Sequence, residues 1–112
     1  MLIHEKLKCY QMSLFVSKEA NRALAKKMPK GYAYLNDQLK RALASIVLNI
    51  AEGVYRKSST ERKRFFEIAI GSASESSAVF DLLFSFNLIS KDLHSYFKDQ
   101  LLQIVRMLYK MS

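Results

Sequence analysis

The chain has 112 residues and half of them are apolar, which suits one domain with a real core and excludes a disordered chain. It carries 18 Lys and Arg against 10 Asp and Glu, and the net charge of +8 favours an anionic partner, with nucleic acid first. A single cysteine excludes a disulfide framework, and neither a signal-peptide core nor a bilayer-spanning apolar run is present. We therefore expect one cytoplasmic domain over residues 1–112, with no membrane partner.

The first predicted helix runs from about Glu5 to Lys27. Apolar and small side chains recur three and four positions apart along it, as in a helix that packs in a bundle. Pro29 and Gly31 follow and stop it. Its predicted core row is Leu7, Tyr10, Leu14, Ser17, Asn21, Leu24 and Met28, and Cys9, Val16, Ala20 and Ala23 widen that face with small groups.

Three further helices follow with short connections. The second is predicted from Tyr34 to about Arg56. Ser58 and Glu61 form a capping box, so the third begins there and runs to about Phe86. Ser90 is the predicted N-cap of the fourth. The predicted row on the second helix is Leu35, Leu39, Ala42, Ile46, Ile50 and Gly53, and that on the fourth is Leu93, Phe97, Leu101, Ile104, Leu108 and Met111. The third helix has two neighbouring rows: Phe65, Ile68, Ser72, Glu75, Val79, Leu82 and Phe86, and Phe66, Ala69, Ala73, Ser76, Phe80 and Leu83.

The end of the third helix is apolar on almost every side. A helix of this kind is normally buried, and a lone four-helix bundle would leave part of residues 79–89 exposed. We therefore expect a subunit interface there, formed by Phe80, Leu82, Phe84 and Phe86.

Four amphipathic helices with short connections predict an all-α, antiparallel up-down-up-down four-helix bundle. This topology gathers nine of the eighteen basic residues at one end, where they form the electrostatic footprint of phosphate binding. Arg62, Lys63 and Arg64 stand near the start of a helix, where cations oppose the macrodipole. Tyr55 and Tyr109 lie near enough to stack on bases. The predicted nucleic-acid-binding residues are Lys6, Lys8, Arg56, Lys57, Arg62, Lys63, Arg64, Arg106 and Lys110.

The alternative is that this charge only keeps one end of the bundle solvated. A second, weaker basic group is expected at the opposite end, formed by Lys26, Lys27, Lys30, Lys40, Arg41 and Lys91.

No residue pattern predicts an active site or a cofactor. Glu52 and Glu75 are expected about 15 Å apart along the bundle, too far for paired-carboxylate chemistry. We expect Glu75 to pair with Arg41 and Glu52 to pair with Arg56. His4 and His94 lack companions at metal-ligand spacing, and Cys9 stands in a core row, so no metal or catalytic residue is predicted.

The second and third helices carry a recurring set of polar and small residues. Ser45-Ile46 precedes the run Asn49-Ile50-Ala51-Glu52-Gly53, and Gly71-Ser72 precedes Glu75. Together with Gln38 to Ala42 and with Phe65, Ile68 and Ala69, these residues resemble the signature of the four-helix-bundle family of 23S rRNA intervening-sequence proteins. The sequence departs from the commoner family pattern at Val47-Leu48, where a proline and a small residue often stand.

This resemblance implies a bacterial cytoplasmic protein that forms a homopentameric ring. A similar bundle is the accessory variability protein of diversity-generating retroelements, which works with a reverse transcriptase and RNA. Two hypotheses follow: a non-enzymatic, oligomeric RNA-binding bundle, or a scaffold that docks a partner protein. The resemblance leaves open whether the polar family residues are structural or line a functional surface; they are Ser45, Asn49, Glu52, Glu75 and Arg41.

Overall fold

The computed structural model describes residues 2–26 and 28–111. Within them it contains four α-helices and no β-strand, so the fold is all-α as predicted. A short 3-10 helix at Ile3–Lys6 comes first. The α-helices are α1 (Lys8–Ala23), α2 (Ala33–Val54), α3 (Ser59–Ser85) and α4 (Lys91–Met111). None of the helices in the described ranges has the length and apolarity needed to cross a bilayer.

The helices form an elongated bundle of 46 × 23 × 22 Å in which each helix packs on two neighbours. α1 and α3 both contact α2 and α4. Cys9 at the start of α1 donates a thiol hydrogen bond to Met111 at the end of α4, with the sulfurs 3.4 Å apart. The rings of Tyr32 and Phe86 meet at the other end, 5.4 Å apart. These contacts confirm the antiparallel up-down-up-down topology.

The core follows the rows predicted for α2 and α4 and, on α3, the row that begins at Phe66, whereas much of the neighbouring α3 row, including Ile68 and Leu82, is exposed. Phe80 and Phe97 stack at its centre with 4.6 Å between their ring centroids, and both are fully buried. Burial of such large apolar side chains is the main favourable term in folding. The largest other fully buried side chains are Leu35, Leu39, Ile46, Ile50, Leu83, Leu101, Ile104 and Leu108.

The position of Phe80 corrects the predicted subunit interface. Its side chain is 0% exposed within one subunit, so it cannot reach another copy of the chain. Leu82, Phe84 and Phe86 are exposed and remain available.

α1 is shorter than predicted, and its core face is centred on the small side chains expected to widen the predicted row, not on the row itself. It begins at Lys8 and ends at Ala23, and Lys27 lies outside the described residues. Leu14, placed in the core row by its spacing, is 46% exposed. Small side chains fill the space against α2 and α4 instead, and the buried Ser13 hydroxyl donates to the carbonyl of Tyr10. The buried residues along this segment are Cys9, Ser13, Val16, Ala20 and Leu24.

Side-chain caps start α3 and α4, and a left-handed residue ends α3, at the positions that the sequence indicates. The Ser58 hydroxyl accepts from the Glu61 amide at 3.3 Å, and the Ser90 hydroxyl accepts from the Leu93 amide at 3.1 Å, so both N-caps are confirmed. α3 ends with Asn87 at φ +59°, a left-handed conformation that asparagine tolerates. The Leu88 amide then bonds the Leu83 carbonyl at 2.8 Å, which closes a Schellman motif.

Candidate nucleic-acid interface

Three chain segments meet at one end of the bundle: residues 2–8, 54–64 and 106–111 supply the start of α1, the reversal between α2 and α3, and the end of α4. We call this end the basic pole. The side chain of Lys6 lies outside the described residues, and two of the other predicted cations are tied into the fold. Six predicted cations are exposed and make no ion pair with any described residue: Lys8, Lys57, Lys63, Arg64, Arg106 and Lys110.

Arg56 is held just after the end of α2 by two partners. Its Nη2 atom lies 2.6 Å from Glu52 Oε2, the helical pair that the sequence predicts. Its guanidinium stands 4.8 Å above the centroid of the Phe65 ring, in cation–π geometry. Much of its charge is therefore already compensated within the subunit.

Arg62 has a structural role that its position in the sequence did not suggest. Its Nη1 atom donates to the main-chain carbonyls of Arg56 at 2.7 Å and Lys57 at 3.0 Å. These two carbonyls lie in the reversal just after α2, which ends at Val54, and the guanidinium satisfies them close to the negative end of the α2 dipole. Arg62 thus closes the reversal between α2 and α3, and the cost expected for a cation there is offset.

The acidic residues of the basic pole leave an excess of positive charge. Glu52 is occupied by Arg56, and Glu5 accepts a hydrogen bond from the Leu2 amide at 2.8 Å. Glu61 lies in the first turn of α3, where it complements the helix dipole. Beside it a recess of about 330 Å³ is lined by Ser59, Thr60, Arg62, Lys63 and Met111.

Two tyrosines stand among these cations. Tyr109 in the last turn of α4 is 64% exposed, and Tyr55 after α2 is 47% exposed. The Tyr55 hydroxyl is 2.9 Å from His4 Nδ1, and the two rings meet edge to face with centroids 5.6 Å apart. The basic pole therefore combines cations with accessible aromatic rings.

Two of the polar family residues, Ser45 and Asn49, form a network with Ser72 and Ser76 on the α2–α3 interface, away from the basic pole. The hydroxyls of Ser45 and Ser72 are 2.6 Å apart. Asn49 Nδ2 donates to the Ser45 carbonyl at 2.8 Å and to its hydroxyl at 3.1 Å, and the Ser76 hydroxyl donates to the Ser72 carbonyl at 2.9 Å. These side chains satisfy one another, which indicates a structural role for Ser45 and Asn49.

The predicted Glu75–Arg41 ion pair is wrong. Glu75 Oε2 accepts from Gln38 Nε2 at 3.0 Å, while Arg41 is exposed and pairs with no acid among the described residues. Gln38 is nearly one turn closer to the start of α2 than Arg41, so the facing positions were misjudged by three residues.

A second polar cluster, between α3 and α4, was not predicted. Asp81 accepts from Lys98 Nζ at 2.9 Å and from His94 Nε2 at 2.8 Å, and these bonds, with Lys98 contributing most, lower the pKa of Asp81. The His94 ring also stacks on Phe84 with centroids 4.6 Å apart. His94 and Lys98 are four residues apart and therefore lie on one helical face. This spacing was the sequence signal from which a shared acidic partner could have been inferred. No group of three or more potential metal-ligating side chains occurs in the described ranges.

Comparisons with known proteins agree with this architecture. A solved structure of a protein of unknown function from the S23 ribosomal protein family of Bacteroides thetaiotaomicron superposes with a TM-score of 0.80, over 92% of this chain and 93% of that chain. The two share 18% sequence identity, so the likeness shows the fold alone. No curated protein sequence matches the chain. The family model of the 23S rRNA-intervening sequence proteins matches residues 5–110. The chain therefore belongs to the 23S rRNA-intervening sequence protein family.

Proposed function

We propose that this protein is a non-enzymatic, cytoplasmic RNA-binding protein that contacts phosphates through the basic pole. The observation that carries the proposal is the convergence of exposed, unpaired cations from separate parts of the chain. α1 contributes Lys8 and the α2–α3 reversal contributes Lys57. α3 contributes Lys63 and Arg64, and α4 contributes Arg106 and Lys110. Family membership adds support because the family name refers to intervening sequences of 23S rRNA.

The expected binding is electrostatic and depends on salt. Each phosphate that a cation neutralises releases condensed counterions, so the logarithm of the binding constant falls linearly with the logarithm of the salt concentration. If all six exposed cations engage phosphates, the slope should be roughly −4 to −5. Fluorescence anisotropy of a labelled structured RNA at several salt concentrations measures it.

The decisive variant leaves the structural arginines in place. The triple change Lys57→Glu, Lys63→Glu and Lys110→Glu removes charge from the basic pole without touching Arg56 or Arg62. The matched control changes Lys26, Lys30 and Lys91 to Glu at the opposite end of the bundle. Each replacement lowers the net charge by two, so both variants have +2 in place of +8.

We expect the pole variant to lose nearly all RNA affinity. The control should retain most of it, because the residues changed in it lie several Debye lengths from the basic pole. Equal losses in the two variants would show that only net charge matters. The proposal would be contradicted if the wild type did not bind RNA at low salt, or if its binding constant did not change with salt concentration.

We also propose that the protein acts as a homo-oligomer, a pentamer by its family resemblance. Exposed apolar side chains near the end of α3 support self-association, since a monomer gains nothing by exposing them. They are Leu82, Phe84 and Phe86. Light scattering that finds a 12.9 kDa monomer at micromolar concentration would contradict this part of the proposal.

A second candidate function is docking of a partner protein, such as a polymerase to which the bundle is an accessory subunit. Leu14 and Phe15 favour it, because they are exposed on α1 away from the basic pole. Partner capture that survives the pole triple variant and nuclease treatment, but fails when Leu14 and Phe15 are changed to Ser, would establish this function in place of RNA binding.

A further inference from the structure

We infer that the basic pole selects RNA with unpaired bases, and that Tyr55 and Tyr109 are the surfaces on which those bases stack. This inference rests on the proposed function and adds the class of RNA. Phosphate contacts alone would accept single strands and duplexes alike, because both present the same charged groups. Aromatic side chains that protrude among the phosphate-binding cations add a contact that only a free base can make.

Tyr109 occupies the same helical face as two of the exposed cations. Arg106 lies three residues before it and Lys110 directly after it, so positions 106, 109 and 110 share the outer surface of the last turn of α4. Tyr109 is 64% exposed, and within the described part of the chain its ring meets no other ring and its hydroxyl bonds no other side chain. A base can therefore lie on the ring while its flanking phosphates meet the two cations.

Tyr55 is a second platform with a fixed orientation. Its hydroxyl bonds His4 Nδ1 at 2.9 Å and the His4 ring meets it edge to face, which holds the phenol ring in place. The Tyr55 ring also borders a recess of about 440 Å³ whose other lining residues are Leu48, Ala51, Glu52 and Arg56. An ordered ring beside an open, partly apolar recess suits a flat base and loses little conformational entropy on binding.

The two platforms stand at opposite corners of the pole. α2 and α4 make no contact with each other in the described ranges, so Tyr55 and Tyr109 belong to diagonal helices. A strand that reaches from one ring to the other crosses the start of α1 or of α3, where Lys8 and Lys63 are exposed. Rings and cations thus alternate along a path across the pole, as in proteins that bind single strands by stacking and charge.

Tyr34 provides an internal comparison at the opposite end. It is 58% exposed in the first turn of α2, but the residues three and four positions further along its face are Asp37 and Gln38. It therefore has the exposure of a stacking residue, but Arg41, the nearest cation further along its helical face, lies two turns away, and Tyr34 serves as a matched control.

The test measures anisotropy with two labelled RNAs: an unstructured single strand of about 12 nucleotides, and a blunt duplex with the same number of base pairs. We expect Tyr109→Ala and Tyr55→Ala each to weaken single-strand binding about fivefold or more, and to change duplex binding by less than about twofold. Tyr109→Phe and Tyr55→Phe should keep most of the affinity because they keep the ring, and Tyr34→Ala should change neither RNA.

The outcomes separate this inference from the proposed function. If the wild type binds both RNAs with steep salt dependence and the alanine variants match it, the phosphate site stands and base stacking is wrong. Equal weakening on the duplex would likewise overturn the inference, because a duplex offers no free base. If the wild type binds neither RNA, the proposed function fails and this inference fails with it. Circular dichroism of each variant confirms that an affinity loss does not come from unfolding.

Discussion

Ser45 and Ser72 share a hydroxyl–hydroxyl hydrogen bond of 2.6 Å across the interface of α2 and α3. Asn49 donates to the Ser45 hydroxyl from one turn away and so helps to position it, while Ser76 donates to the main-chain carbonyl of Ser72. Apolar rows alone allow two helices to slide by a turn with little loss of burial. A directed polar pair is satisfied at only one alignment, so it fixes the register of α2 against α3.

We expect Ser45→Ala and Ser72→Ala each to lower the free energy of unfolding by about 1 kcal/mol, because each leaves a half-buried hydroxyl without its partner. The double variant should lose less than the sum by about 0.5 kcal/mol or more, since the second change removes a group that is already unpaired. Urea unfolding at one fixed protein concentration measures all four proteins. Ser74→Ala, an exposed position on α3, is the control; strictly additive losses would disprove the coupling.

Gly53 and Gly71 should respond in opposite directions to the same substitution. A Cβ atom at Gly53 would lie 2.8 Å from Phe66 Cε1 and 3.1 Å from Phe65 Cβ, whereas one at Gly71 meets nothing within 4 Å. We expect Gly53→Ala to destabilise the bundle by about 1–3 kcal/mol through overpacking. Gly71→Ala should stabilise it by about 0.5–1 kcal/mol, because alanine is the better helix former. Thermal unfolding of both variants tests the contrast, and a stabilised Gly53→Ala would contradict the close packing.

Neighbouring cations on α3 should differ in their effect on stability. Arg62→Ala removes two hydrogen bonds to carbonyls at the end of α2 and should cost about 1–3 kcal/mol. Lys63→Ala removes an exposed, unpaired charge and should change stability by less than about 0.5 kcal/mol. Chemical denaturation measures both. Similar values for the two variants would mean that Arg62 does not close the reversal.

The Asp81 cluster predicts a small loss of stability in acid. Hydrogen bonds from Lys98 and His94 lower the pKa of Asp81 in the folded protein below its ordinary value of 3.8. The unfolded chain therefore takes up a proton first as pH falls. The stabilisation is fully present above the unfolded pKa and disappears as pH drops through the folded pKa.

The Asp81 side chain is 54% exposed, so its contribution should stay below about 1 kcal/mol. Asp81→Asn should accordingly be less stable than the wild type at neutral pH, with the difference closing between about pH 5 and pH 2. Unfolding curves at several pH values test this, with Asp37→Asn as an exposed control. A difference that persists at pH 2 would contradict the assignment.

The helices of this protein were predictable because its apolar spacing and caps agree. Ser58 and Ser90 mark the starts of α3 and α4, the core rows of α2 and α4 fall where the spacing puts them, and one of the two rows predicted for α3 is the buried one. α1 was harder because its core side is built from small residues. Counting hydrophobicity favours Leu14 over Ser13, whereas the space left between α2 and α4 admits only the smaller side chain.

The residues gathered at the basic pole were predictable from topology, but their partners were not. Whether Arg62 reaches the end of α2 depends on the conformation of a turn that the sequence leaves undefined. Glu75 meets Gln38 and not Arg41 because the rotation of α2 about its axis decides which surface residue faces α3. Phe80 shows a different limit. The apolar segment at the end of α3 indicates burial, but spacing alone does not show which of its two rows points inward. In the structure it is the row that begins at Phe66.

The described cations of the basic pole fall into two groups: those that stabilise the fold and those that are exposed and unpaired. Arg56 and Arg62 are anchored in the α2–α3 reversal, so changing either one disturbs the hairpin itself. The six exposed, unpaired cations project from a scaffold whose stability does not depend on them. A bundle of this design can exchange those lysines and arginines, and with them the charge pattern of the basic pole, while its melting behaviour stays almost the same.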